Sequence, residues 1–182
     1  MQRYFLILFL IFNNNHVFAD MKDKIIQNLT KTNNLSFHFE QNINGETEKG
    51  KCVIEYPKKI FCNYDSDNKK KLISNGKTLV VKTKTSYYLY PLQKTPLNLV
   101  LDREFLINQI RKLKEREIDK KFIVYTFNQN DNEINIFFDK IDYNLIGWQT
   151  LDIYQNLNIT YLSLQKKNEV LKNNIFKLPS PN

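Results

Sequence analysis

Glycine, histidine and cysteine are scarce in this chain. Its 182 residues include four glycines, two histidines and two cysteines. So few glycines leave little material for a phosphate-cradling loop, and the Walker A, Rossmann and G-x-S-x-G patterns do not occur in the sequence. Beyond the N-terminal segment His38 stands alone, without the Cys/His cluster that a zinc site needs. The sequence therefore gives no support for an enzyme, and we expect no cofactor and no metal.

Long apolar runs are also missing, apart from one near the N-terminus. Residues 4–12 are apolar, about half of the roughly 20 residues that span a bilayer. Arg3 precedes this run and Val17-Phe18-Ala19 follows it, which is the pattern of a secretory signal peptide. We predict a signal peptide over residues 1–19, cleavage after Ala19, and a mature single domain over residues 20–182 in the periplasm.

Positive charge exceeds negative charge, with a formal net charge of +8. The lysines are spread widely, and Lys69-Lys70-Lys71 is the one dense run. Such a distribution is typical of a solvated basic surface, and the alternative is a weak attraction for anionic headgroups or an acidic partner. The export signal disfavours nucleic acid as a partner.

Strand-like alternation dominates the mature chain. Leu35-Ser36-Phe37-His38-Phe39 alternates apolar and polar residues, as a strand with one buried face does. Asn75-Gly76 predicts a two-residue hairpin turn, and residues 45–50 predict a polar turn. Strands are predicted over residues 35–41, 51–56, 60–64, 71–74, 77–81, 86–92, 121–128, 133–140, 145–154 and 158–165, with a last short strand over 175–178.

Two segments have helical periodicity instead. Apolar residues recur every four positions from Met21 to Leu29 and predict a helix over residues 20–31. Asp102 is placed to cap a second helix that runs to about Glu117. Connections long enough for parallel pairing are few. The predicted fold class is mainly β (α+β), an antiparallel sheet that curls toward a barrel, with helices on or inside it.

The two cysteines lie at equal distances from Pro57, with Cys52 before it and Cys62 after it. If the hairpin around Pro57 is symmetrical, the cysteines face each other on adjacent strands, close enough for a disulfide. The oxidising periplasm favours that bridge. Two buried free thiols and a redox pair are the alternatives, although a redox pair is usually spaced C-x-x-C.

Short segments of recognisable pattern run in order along nearly the whole mature chain. They are Phe37-x-Phe39-x-Gln41, residues 50–57 (GKCVIEYP), residues 72–79 (LISNGKTL), Thr95-Pro96-Leu97-x-Leu99-Val100-Leu101, Leu145-Ile146-Gly147-Trp148 with Asp152, and Phe176-x-Leu178-Pro179. In their order and spacing these segments resemble the outer-membrane lipoprotein carrier protein (LolA) family.

The resemblance implies an incomplete, strongly curved antiparallel β-barrel with short helices that form a lid over an apolar cavity. It implies a carrier that takes acylated lipoproteins from an inner-membrane lipoprotein-releasing transporter toward the outer membrane, where an acceptor would receive them. We expect the carrier to be a monomer. The chain departs from the family at Tyr56, where many members have an arginine that helps to hold the lid closed. A phenol offers a single hydrogen bond there, so lid closure is expected to be weaker or arranged differently.

The candidate residues of the acyl-chain cavity and lid are apolar positions on the predicted strands and after Pro96. They are Phe37, Phe39, Ile54, Tyr56, Ile60, Leu79, Val81, Leu89, Leu97, Leu99 and Leu101. Ordinary core packing is the alternative for each of them. For the whole chain, the alternatives are a carrier or sensor of another lipid on the same half-barrel fold, and an enzyme with an unfamiliar carboxylate site.

Overall fold

One antiparallel sheet organises the structure, a computed structural model that describes residues 16–129, 132–151 and 156–181. Its strands are β1 (Asn34–Ile43), β2 (Glu46–Glu55), β3 (Lys59–Tyr64), β4 (Lys71–Asn75), β5 (Thr78–Lys82), β6 (Tyr87–Pro91), β7 (Arg116–Ile118), β8 (Phe122–Gln129), β9 (Asn132–Asp139), β10 (Leu145–Leu151) and β11 (Leu157–Lys167). The eleven strands lie in the order β6-β5-β4-β3-β2-β1-β11-β10-β9-β8-β7. The sheet is open, with β6 and β7 at its edges, and the predicted mainly β, antiparallel class is confirmed.

Strands that neighbour each other in the sheet are nearly all consecutive in the chain, and the exception lies at the centre. There β1 pairs with β11, with Phe39 opposite Leu162. Each side of this central pair is a series of hairpins. We call β2–β6 the cavity wing and β8–β9 the packed wing, for reasons given below.

Three α-helices accompany the sheet in the described residues: α1 (His16–Lys31), α2 (Leu97–Val100) and α3 (Arg103–Lys112). A 3-10 turn at Leu92–Lys94 precedes α2, and this whole connection runs from one edge strand, β6, to the other, β7. The Asp102 carboxylate accepts a hydrogen bond from the Phe105 N–H at 3.1 Å, so it caps α3 as predicted. Helix α3 ends at Lys112, before Glu117, because Glu117 pairs with Ile123 in the sheet.

The packed wing has its inner face filled by helices; the inner face is the one that carries Phe37 and Phe39. Alternate residues of β8 and β9 are buried there, namely Ile123, Tyr125, Phe127, Ile134, Ile136 and Phe138. Helices α1 and α3 contribute Met21, Ile25, Leu29, Leu106, Ile107 and Ile110 to the same core. The Phe105 ring meets the Phe127 ring edge-on, with centroids 5.4 Å apart. Burial of this apolar surface is the main source of stability on this side.

The outer face of the cavity wing is crossed by the C-terminal segment, residues 168–181. Ile73 and Val80 point to this face and are buried, although they lie outside the main core. The Tyr87 hydroxyl donates a hydrogen bond to the Pro179 carbonyl at 3.1 Å, and Lys82 Nζ donates to the Ser180 carbonyl at 2.9 Å. The segment forms turns and no strand, so the predicted strand over residues 175–178 is wrong.

The predicted polar turn over residues 45–50 is shorter than expected. Residues 46–50 belong to β2, and the turn proper is Asn44 and Gly45, both with positive φ. Strand β10 is described as far as Leu151, and Asp152 lies outside the described residues. Residues 1–15 of the predicted signal peptide also lie outside them, and the predicted cleavage after Ala19 falls inside α1. In the described part of the chain, no helix combines the length and apolarity needed to cross a membrane.

Candidate binding cavity

A cavity of about 400 Å³ lies on the inner face, against the cavity wing. Most of its wall is apolar, formed by Phe39, Ile43, Cys52, Ile60, Cys62, Leu72, Leu79, Val81, Tyr90, Pro96, Leu97, Trp148 and Leu151. Its polar lining consists of Gln41, Tyr64, Lys70, Thr95, Thr150, Asn158 and Thr160. The packed wing contributes no lining residue among those described, because its inner face is filled.

Strand alternation places the wall. Residues two apart on a strand share a face, so Ile60, Cys62 and Tyr64 reach the cavity together. Gly50 provides room beside them: a Cβ at Gly50 would lie 2.7 Å from the Phe39 ring. The Phe39 ring occupies that room and meets the Tyr64 ring edge-on, with centroids 4.9 Å apart. The same Cβ would also clash with the Asn63 carbonyl oxygen, so a larger residue at position 50 would force β3 as well as the Phe39 ring to move.

Five of the candidate cavity and lid residues line the cavity: Phe39, Ile60, Leu79, Val81 and Leu97. Five others do not. Phe37, Ile54, Tyr56 and Leu101 are buried in the continuous core beyond the cavity, and Leu99 is partly buried and packs against that core. For these residues the structure shows core packing, which was the alternative stated for each.

Leu89 lies on the wrong face for a cavity residue. It pairs with Val80 on β5, whose neighbours Leu79 and Val81 line the cavity, so Leu89 and Val80 point to the outer face. Its side chain is 58% exposed. The assignment of Leu89 to the cavity wall is therefore corrected.

The two cysteines form a disulfide, as predicted. They are directly opposite each other on β2 and β3, and both line the cavity. The bridge therefore joins two strands of the cavity wing at the edge between the buried core and the cavity.

The polar lining residues were missed by the sequence analysis, except for Gln41 as part of a family segment. A signal for them existed. Gln41 continues the inward alternation of Phe37 and Phe39, and Thr150 continues that of Trp148. A polar residue at a position where the alternation predicts a buried apolar residue indicates that the side chain lines a cavity and is not packed in the core.

These polar side chains are joined by hydrogen bonds. The Tyr64 hydroxyl donates to Gln41 Oε1 at 3.1 Å, and Gln41 Nε2 donates to Asn158 Oδ1 at 2.8 Å. The Thr160 hydroxyl donates to the same Asn158 oxygen at 3.4 Å. The chain of bonds links β3, β1 and β11 across the centre of the sheet.

One ion pair stands beside this chain of bonds. Lys70 Nζ donates to both carboxylate oxygens of Glu48, at 2.8 and 2.6 Å, and lies 4.3 Å from the Tyr64 ring centroid. Burial raises the pKa of the Tyr64 phenol, and the Glu48 charge raises it further. Tyr64 therefore stays neutral and keeps its proton for donation at physiological pH.

The tip of the β2–β3 hairpin holds the segment that contains α2. The Lys58 N–H donates to the Leu101 carbonyl at 2.9 Å, and Lys58 Nζ lies 3.1 Å from an Asp102 carboxylate oxygen. Arg103 lies on the other side of the tip, with its guanidinium carbon 5.9 Å from the Tyr56 ring centroid. The position that is an arginine in many family members is thus a tyrosine covered by an arginine from α3.

The side chain of Tyr56 is buried in the core at the hairpin tip. Burial raises the pKa of its phenol to about 12, and the Arg103 charge limits the rise. Arg103 is fixed in place because its Nη1 donates to the Thr32 carbonyl at 2.9 Å, at the end of α1. The hairpin tip, α1 and α3 are therefore connected at one point.

Taken as chemistry, this arrangement suits binding. An apolar wall with a few placed polar groups is the common form of a small-molecule site. In the described residues no group of three or more His, Cys, Asp or Glu side chains is placed to hold a metal ion.

Solved structures share the fold at very low sequence identity. An uncharacterized conserved protein from Thermus thermophilus is 8% identical, with a TM-score of 0.51 over 88% of this chain and 93% of that chain. MucB is 7% identical, with a TM-score of 0.50, and this chain spans 64% of its length while 92% of this chain is covered. A LolA superfamily protein from Nitrosomonas europaea is 9% identical, with a TM-score of 0.46 over 88% and 97% of the two chains.

A search of curated protein sequences found no match. The family comparison did: residues 30–179 match the family model of the outer membrane lipoprotein carrier protein LolA. This range begins in α1 and includes every residue that lines the cavity. The match covers far more than half of the chain. The chain therefore belongs to the LolA family.

Proposed function

We propose that this protein is a periplasmic carrier that binds the acyl chains of lipoproteins and transports them from the inner to the outer membrane. The observation that supports this best is the apolar cavity of about 400 Å³ in a chain of the LolA family. The role that we propose is binding and release, with no catalytic step.

The energetics of acyl chains favour a protein with such a cavity. A triacylated anchor exposes on the order of 40 methylenes, and burial of each contributes about 0.8 kcal/mol. Free diffusion of the anchor through water is therefore excluded, and a carrier has to cover it. The carrier must also release the anchor, so it should cover less of the apolar surface than a membrane does.

The cavity is small for a complete triacyl anchor. Its 400 Å³ lies near the lower end of the roughly 300–1,000 Å³ range of small-molecule sites. We propose that residues 95–101 act as a lid that moves to admit the remaining chains. Thr95, Pro96 and Leu97 of this segment line the cavity, and Val100 and Leu101 are fully buried behind them.

In addition to the burial of Val100 and Leu101, two polar contacts hold the proposed lid at its far end. They are the backbone hydrogen bond from Lys58 to Leu101 and the ion pair of Lys58 with Asp102. Both side chains of the pair are partly exposed, so the pair contributes less than about 1 kcal/mol. Movement of the whole segment would also take Val100 and Leu101 out of the core, so apolar burial of about 1.5–3 kcal/mol per side chain, and not the ion pair, sets most of the cost of opening.

The proposed location and partners follow from the predicted signal peptide and from the family. Cleavage after Ala19 would release a mature chain of residues 20–182 into the periplasm. Acylated lipoproteins are the proposed cargo, an inner-membrane lipoprotein-releasing transporter would supply them, and an outer-membrane acceptor would receive them. We propose that the carrier acts as a monomer.

The test is recovery of cargo by a tagged mature protein from the periplasm of a Gram-negative host, with mass spectrometry of what co-purifies. We expect stoichiometric acylated lipoproteins on the wild type and none on Leu97→Glu, which places a charge in the cavity wall. Leu89→Glu is the matched control, because the same change falls on the exposed outer face and should leave cargo bound.

Retention of lipoproteins by a folded Leu97→Glu protein would contradict the proposed site. An empty wild type in a host with working lipoprotein release would contradict the function. The small cavity volume favours one second candidate, a carrier of a single-chain lipid. Recovery of free lipids without lipoproteins would support that candidate.

A further inference from the structure

The polar lining residues of the cavity are gathered at one end of it. The register of the central strands explains why: Gln41 is opposite Thr160, and Thr150 is opposite Asn158. Along β1, buried Phe37 and Phe39 give way to the partly buried Gln41. We call Gln41, Tyr64, Lys70, Thr150, Asn158 and Thr160 the polar end, and the apolar residues of the wall the apolar end. An amphiphile with its chain in the apolar end would hold its first polar group here.

The hydrogen bonds of the polar end all lead to the side-chain oxygen of Asn158, and some N–H and O–H donors remain without an acceptor in the described part of the chain. Asn158 Oδ1 accepts from Gln41 and from Thr160, so this oxygen is occupied. An amide nitrogen carries two N–H donors, and Asn158 Nδ2 donates to no group among the described residues. The side chain of Thr150 lines the cavity, and its hydroxyl makes no hydrogen bond to a described residue either. Both residues line the cavity, so these donors are available to a ligand.

Charge selects the kind of acceptor. Among the described residues that line the cavity, the cation is Lys70, and it donates to both carboxylate oxygens of Glu48. The pair is neutral as a unit, so it offers no excess positive charge to a carboxylate or phosphate. Donors without net charge suit a neutral acceptor oxygen. In an acylated anchor, the neutral acceptor next to each chain is the carbonyl of the ester or amide bond.

We propose that the polar end is a carbonyl subsite, in which Asn158 and Thr150 donate to the ester or amide carbonyl that joins an acyl chain to its headgroup. Gln41 is a positioning residue, because its amide N–H occupies the oxygen of the Asn158 amide and so turns the Asn158 nitrogen toward the cavity; Tyr64 acts one step further out, by donating to the Gln41 oxygen. The subsite sets how far a chain enters. It rests on the proposed function in one respect, namely that acyl chains occupy the apolar end.

The test compares two lipids that differ in one carbonyl. Palmitoyl lysophosphatidylcholine has an ester next to its chain, and hexadecyl lysophosphatidylcholine has an ether at the same place. Trp148, the single tryptophan of the chain, lines the cavity, so its fluorescence reports entry directly. We expect the wild type to bind the ester roughly 3- to 10-fold more tightly than the ether, the effect of one neutral hydrogen bond.

Substitutions at the polar end test whether it causes the preference for the ester. Asn158→Leu and Thr150→Val should each lower the ester preference toward onefold while the ether affinity stays near that of the wild type. Thr150→Val replaces one hydroxyl by a methyl of similar shape, so it should fold even where Asn158→Leu does not. Asn63→Leu is the matched control, because Asn63 is exposed on the outer face of β3 and should keep the full preference.

Each outcome has a distinct meaning. Equal binding of ester and ether by the wild type would overturn the carbonyl subsite and leave the carrier function standing. An ester preference that survives in both variants would overturn its assignment to Asn158 and Thr150. Failure of both lipids to bind would instead overturn the proposed function on which the subsite depends.

Discussion

The two wings of the sheet have similar inner faces and differ in what lies against them. On the packed wing, residues such as Ile134 and Phe138 are covered by α1 and α3. On the cavity wing, Ile60 and Leu79 face a space of about 400 Å³ beside the short helix α2. This comparison shows that apolar alternation along a strand determines which face of the sheet is apolar. Whether that face becomes core or lines a cavity depends on the helix that covers it.

Alanine substitutions in the two wings should differ most in how much stability they remove, because the wings differ in packing. Ile134→Ala should lower the free energy of unfolding by about 3–4 kcal/mol, because it opens a void in a filled core. Ile60→Ala should cost about 2 kcal/mol, because one side of Ile60 already lacks partner atoms. Both isoleucines are almost fully buried, which makes the pair a matched comparison. Urea denaturation at pH 7 measures both, and equal losses would show that the two wings are equally well packed.

The next effect concerns the disulfide, which lies only in the cavity wing. A double variant with Cys52→Ala and Cys62→Ala should lose about 2–3 kcal/mol of stability, the chain-entropy value for so short a loop. Amide hydrogen exchange should rise in β2 and β3 far more than in β8 and β9. Reduction of the wild type should reproduce the loss. A uniform rise across all strands would mean that the bridge stabilises the whole sheet and not this wing.

The last effect is absent at neutral pH, and it is a pH dependence at the hairpin tip of the cavity wing. The pKa of the Tyr56 phenol is raised to about 12, above the roughly 10 of an unfolded tyrosine. The unfolded state therefore loses this proton first, and stability should fall between pH 10 and 12, by at most about 1.4 kcal/mol per pH unit. Tyr56→Phe should make this fall shallower by the share of one phenol, because Tyr64 and Tyr125, whose pKa values are also raised, keep their shares, and it should leave stability between pH 7 and 9 without a new pH dependence. An unchanged alkaline slope in thermal unfolding would contradict the assignment.

Much of the sheet could be predicted because burial is one-sided along its strands. Leu35, Phe37 and Phe39 alternate with polar residues, and the strand lies where the pattern places it. The first residues of β2 were predicted as turn because they are exposed and polar on both faces, so no alternation marks them. The C-terminal segment was predicted as a strand from its apolar residues, which cover the outer face without pairing.

The candidate site was predicted in part, for a related reason. Val81 and Leu79 were assigned to the right face, but Leu89 was not, since its neighbours Tyr88 and Tyr90 are also apolar. In a run where every residue is apolar, the sequence does not show which residues face inward. An error of one residue then assigns every side chain to the opposite face of the sheet. The arginine at the hairpin tip could not be predicted either, because Arg103 reaches Tyr56 only through the placement of α3.

The central pairing of β1 with β11 has a consequence for how the site comes into being. Each wing consists of hairpins between consecutive strands, which can form from nearby residues with little loss of chain entropy. The join between the wings is different, because Gln41 and Asn158 are 117 positions apart. A chain that folds from its N-terminus can therefore build its first hairpins early, but the cavity is complete only when the last strand has docked.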